Sequence, residues 1–159
     1  MRLLPWADRL RRLLPGLWAG WLVCVAALAT PSVFALLERE LAGRVAARML
    51  ALEATVSLVL GAVLLALERL HARREAGAGR GSQFSLGMGL ALGALACTVA
   101  GYHAIVPMME HARSGQGRLG FVQLHAISVG FYALKLVLVL VLAWRATGPL
   151  SGPAAGPRG

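Results

Sequence analysis

Long apolar runs separated by short charged segments set the pattern of this chain. Leu13–Leu37 and Gly81–Met109 contain no Asp, Glu, Lys or Arg, Met49–Leu67 contains only Glu53, and Leu119–Trp144 contains only Lys135. A helix needs about 20 apolar residues to cross ~30 Å of hydrocarbon. In lipid, backbone amides must be satisfied within the segment, so runs of this length predict helices rather than strands. The expected fold is all-α, an integral membrane four-helix bundle with spans at about 14–37, 49–68, 84–106 and 119–144. Residues 1–13 form a basic lead at the interface, and 147–159 a Pro/Gly-rich, disordered tail. The connections are expected at Glu38–Arg48, His71–Gln83 and Met108–Gly117. Ala27-Leu28-Ala29 has the small residues of a secretory cleavage site, but the apolar run around it is longer than a signal core.

Small residues add a packing signal. Ser85, Gly89, Gly93, Cys97 and Gly101 recur every four residues along span 3, as helices that approach closely in lipid require. Pro31 removes a backbone donor late in span 1 and is expected to kink it toward protein. Trp18 and Trp21 are expected at the headgroup level. Cys24 and Cys97 fall mid-span and read as small packing residues.

Charge sets orientation more than it suggests partners. The chain carries 16 Lys+Arg against 7 Asp+Glu in 159 residues, a formal net charge of +9. The arginines sit in short segments beside the spans, where anionic headgroups attract them. No base-stacking aromatic set accompanies them, so nucleic acid is not an expected partner. Ten arginines fall with the N-terminus, second loop and tail, and five with the other two loops. The positive-inside rule then puts both termini in the cytoplasm.

Ionisable groups inside the membrane are the candidate chemistry. At 100° per residue, Phe121, His125, Ser128, Tyr132 and Lys135 fall within an arc of about 80° on span 4, one polar stripe facing the bundle interior. Glu53, His103 and His125 all lie a few residues below the same end of their spans. Three readings of this cluster stay open. Glu53 and His125 form a structural pair, or Glu53, His103 and His125 hold a metal or haem, or the cluster lines a substrate or proton path. Met108 and Met109, just above, would suit Cu(I). Lys135 lies about 15 Å deeper than His125, and Glu68 is its expected partner. No nucleophile–base set, phosphate loop or dinucleotide fingerprint is present, so no enzyme is expected. No cofactor is firmly implied. The expected partners are the bilayer and a second copy or another membrane subunit.

Several local patterns also occur in a fixed order. They are Leu17-Trp18-x-Gly20, Thr30-Pro31-x-x-Phe34, Ala42-Gly43-Arg44, Glu53, Tyr102 with Pro107, and Phe121-x-x-Leu124-His125-x-x-Ser128. Over Leu14–Trp144 the chain resembles the domain-of-unknown-function family 4149, related to eukaryotic transmembrane protein 205. The resemblance implies a multi-pass protein of a bacterial inner membrane, with no agreed activity. A more distant likeness to copper-resistance protein D singles out His125. The expected role is therefore structural, accessory or partner-binding, with metal (copper or haem) handling or small-solute transport as the alternative.

Overall fold

A computed structural model of the chain describes residues 5–79, 81–116 and 119–148. Four helices are long and apolar enough to cross a membrane: α1 (Pro5–Leu36), α2 (Arg39–Gly77), α3 (Leu86–Arg113) and α4 (Phe121–Ala146). They mark a multi-pass membrane protein. Each packs against its sequence neighbours, and α4 closes the ring against α1. This is up-down-up-down topology, with α1 diagonal to α3 and α2 diagonal to α4. The terminal ends lie with the α2–α3 connection at one end of the bundle. The α1–α2 and α3–α4 connections lie at the other.

The helices run further than the charge-free segments. α1 already starts at Pro5, so most of the expected N-terminal lead is helical. The expected first connection, Glu38–Arg48, shrinks to Leu37 and Glu38, whose backbones are extended at ψ 151 and 140. Glu40, Arg44 and Arg48, four residues apart, support the helix rather than a loop. α2 is 39 residues long, about 58 Å at 1.5 Å per residue, so it outruns the hydrocarbon core. It also takes up much of the expected second loop, which is left to the turn around Gly79 and Gly81, both at positive φ. Ser85 opens α3 by accepting the Met88 N–H at 3.2 Å. The third connection also contracts, because α3 continues through Pro107 to Arg113. Most of the expected disordered tail, residues 149–159, lies outside the described residues.

Two π-helical segments precede prolines: Cys24–Ala29 precedes Pro31 in α1, and Val99–Ala104 precedes Pro107 in α3. The Thr30 N–H bonds Val25 O, and the Ile105 N–H reaches Ala100 O, each five residues back. A wider turn ahead of a proline accommodates its ring and its missing N–H. Pro31 itself is exposed on the outside of the bundle, not turned toward protein.

The interior is built from small residues around a few large ones. Trp18, Ala19, Leu22, Leu64, Ala94 and Val139 form the buried centre. Trp18 is fully buried and Trp21 is exposed. The buried residues of α3 are Gly87, Ala91, Ala94, Cys97, Thr98 and Gly101, so of the four-residue stripe only Cys97 and Gly101 are fully in the seam. Each step of four residues overshoots a helical turn by about 40°, so Gly89 points outward with nothing within 4 Å. Gly93 sits half-buried beside Leu138. Gly101 does serve close approach: a Cβ there would lie 2.8 Å from Phe131 Cβ.

This contrast is testable. Gly101→Ala should destabilise the bundle by about 1–3 kcal/mol through overpacking. Gly89→Ala should leave stability unchanged or raise it by up to about 1 kcal/mol. Reversible unfolding in mixed micelles measures both.

Candidate functional site

The polar stripe of α4 faces inward from Ser128 through Tyr132 to Lys135, and its deepest member crosses the bundle. Lys135 Nζ lies 2.7 Å from Glu53 Oε1 on the diagonal helix α2. Both are buried, at 3% and 2% exposure. Counted from Arg39, Glu53 is the fifteenth residue of α2; counted from Phe121, Lys135 is the fifteenth of α4. The two helices start at the same end of the bundle, so the two groups meet at one depth. Ser57, one turn along α2, donates to the same Glu53 oxygen, and Trp18 Nε1 donates to Ser57 Oγ at 2.9 Å. The chain Trp18–Ser57–Glu53–Lys135 therefore ties α1, α2 and α4 together through direct hydrogen bonds. Lys135 Nζ also sits 4.6 Å from the centroid of the Tyr132 ring, a cation–π contact that aids a desolvated ammonium.

The two hydroxyls above Lys135 bond backbone carbonyls at or beside the π-helical segments. Tyr132 donates to Leu22 O at 2.8 Å, two residues before the first segment. Ser128 donates to Gly101 O at 2.9 Å, inside the second. One face of α4 is thus latched to the backbones of both neighbours.

Above the ion pair lies a cavity of ≈ 340 Å³. Glu53 and Lys135 border it, and Ala26, Leu50, Val106 and Val129 contribute to its apolar walls. It occupies the half of the bundle nearer the α1–α2 and α3–α4 connections. That volume falls in the ordinary range of small-molecule pockets, which are mostly apolar with a few placed polar groups.

The expected partnerships change. Lys135 pairs with Glu53, not with Glu68, which lies fifteen residues further along α2, about 22 Å away. Glu68 instead takes Arg11 Nη1 at 3.0 Å and the Ser85 hydroxyl at 3.5 Å, beside a second cavity of ≈ 160 Å³ near the chain ends. Glu53 and His125 border one cavity but do not bond. His125 is ten residues above Lys135, exposed, and stacked on Phe121 at 6.0 Å between centroids. His103 is exposed and off the cavity, edge-on to Tyr102 at 5.2 Å. The widened turn of Val99–Ala104 changes the angular step along α3, and Tyr102 borders the cavity in its place. Among the described residues no three His, Cys, Asp or Glu side chains are grouped as a metal ion would need. Met109 borders the cavity beside His125.

Trp18, Ser57 and Thr98 are site residues that the sequence reading passed over. The signal for Ser57 was present, since it stands one turn from Glu53 on the same face.

Residues 13–118, well over half of the chain, match the family model described as Domain of unknown function (DUF4149). The chain belongs to the DUF4149 family. No curated protein and no solved structure matches it. The DUF4149 match covers Trp18, Glu53, Ser57 and both π-helical segments, and ends before α4. The helix that supplies Lys135, Tyr132, Ser128 and His125 lies outside it.

Removing the cation should expose the cost of the pair. Lys135→Met leaves a buried carboxylate without a partner and should cost about 3–5 kcal/mol. The double variant Glu53→Gln/Lys135→Met should recover about half of that loss or more. Thermal unfolding of purified protein, with yield of folded material as a second readout, measures the coupling.

Proposed function

We propose that this DUF4149 protein is a non-enzymatic, multi-pass protein of a bacterial inner membrane that holds a small organic molecule in its upper cavity. Both termini face the cytoplasm in this reading, because the arginine-rich segments lie at that end. The cavity then opens within the outer half of the membrane. One observation carries the reading: a volume of ≈ 340 Å³ sits directly over a buried ion pair. Intramembrane charges usually mark a functional pathway, and here they form the floor of an accessible space. The partners are the bilayer and a second copy or another membrane subunit that receives or delivers the ligand.

An accessory role without a ligand is the second reading. The Trp18–Ser57–Glu53–Lys135 chain favours it, since that chain joins three helices whatever the cavity holds. Copper or haem handling, which the likeness to copper-resistance protein D suggested, draws less support. Glu53 is committed to Lys135, and His103 stands off the cavity.

Organic extracts of protein purified from native membranes test the proposal by mass spectrometry. One compound should be enriched in the wild type and lost in Ala26→Trp, which puts bulk into the cavity from its α1 wall and leaves Glu53 and Lys135 in the chain. Identical extracts from the two folded proteins would favour the accessory role. Metal content should not respond to His125→Ala; stoichiometric copper or haem lost in that variant would overturn the reading.

A further inference from the structure

The hydrogen-bonding inventory of the cavity specifies the head group that it takes. Five hydroxyls border it, those of Thr30, Thr98, Tyr102, Ser128 and Tyr132, and all but Tyr102 have spent their protons on backbone carbonyls. Thr30 donates to Val25 O at 2.8 Å, Thr98 to Ala94 O at 2.9 Å, Ser128 to Gly101 O and Tyr132 to Leu22 O. These four hydroxyls can still accept but no longer donate; Tyr102 and His125, on turns further from Lys135, complete the polar lining. At the floor, Lys135 has used one of its three N–H groups. Glu53 takes both its bonds on one oxygen, and its second takes none among the described residues.

The floor therefore offers the remaining N–H groups of Lys135 and an acceptor oxygen of Glu53 side by side, on a pair whose net charge is zero. A cationic head would meet the Lys135 ammonium, and an anionic head would compete with Glu53 for it. Either would also bring an unbalanced charge between the apolar walls, at a cost of several kcal/mol. A head that both donates and accepts, without charge, meets neither penalty.

We infer that the cavity selects an uncharged amphipathic molecule with a hydroxyl or primary-amide head, seated on the Lys135–Glu53 pair, and an apolar body along the α1, α3 and α4 walls. The inference rests on the reading of the cavity as a ligand site and adds the class of ligand.

Four probes with one alkyl chain isolate the head group: 1-decanol, decanamide, decanoate and decyltrimethylammonium. Each is titrated against the full chain in lipid nanodiscs, with binding read by native mass spectrometry and by the shift in unfolding temperature. Decanol and decanamide should each saturate a single site, at least about tenfold more tightly than the two charged probes. Ala26→Trp and, independently, Val129→Trp should abolish that site, so the test survives the failure of either variant to fold. Glu53→Gln/Lys135→Met, which keeps the cavity but removes its charges, should reduce the preference for decanol at least about threefold. If a charged probe binds the same site as tightly as decanol, the head-group inference fails while the cavity remains a ligand site. If no probe saturates a site that the filling variants remove, and native extracts also show no enriched compound, both fail.

Discussion

Lys135 reaches across the diagonal of the bundle to Glu53, and Ser57, Trp18 and Tyr132 are arranged around that contact. Two ions withdrawn from water are costly, and a salt bridge alone offsets little of that cost. The surroundings supply what is missing. Ser57 donates a second hydrogen bond to the carboxylate oxygen, Trp18 fixes the serine, and the Tyr132 ring lies against the ammonium. Because the contact joins non-adjacent helices, it sets the depth of α2 against α4. Apolar packing constrains that register weakly in lipid, where tails are as apolar as the side chains.

The cavity follows from the same constraint. A bundle of near-straight helices seamed with Gly and Ala would close over its centre. Here α1 and α3 each widen into a π-helical segment in the same half of the molecule, beside prolines that favour such a departure. Tyr132 and Ser128 tie both widened backbones to α4. Below the ion pair, Trp18, Leu22, Leu64 and Val139 close the core. The result is a space walled by apolar side chains, floored by a neutral pair of charges and sealed from the other end of the bundle.

Much of this was legible in the residue order. Charge-free runs announced four helices, and the positions of Ser128, Tyr132 and Lys135 announced an inward stripe on α4. The partner of Lys135 was not legible. It depends on where α2 begins, and the eleven residues Glu38–Arg48 carry enough charge to resemble a loop while forming most of three helical turns. The fate of His103 was hidden for a different reason: a uniform 100° step fails where the helix widens. The stripe of small residues held only at its far end, Cys97 and Gly101, because a spacing of four drifts around a helix and carries Gly89 outward. Each miss is an error of register, and each places a correct residue type against the wrong neighbour.

The contact between Lys135 and Glu53 can be measured directly in lipid. Protein labelled with ¹⁵N at lysine and ¹³C at glutamate, reconstituted into bilayers, contains one lysine, so the ¹⁵N-to-carboxylate dipolar coupling reports a single pairing. A strong coupling that disappears in Glu53→Gln but persists in Glu68→Gln is the predicted result, matching an Nζ–Oε1 separation of 2.7 Å. A lysine without carboxylate coupling, or one whose coupling is lost in Glu68→Gln instead, would contradict the account.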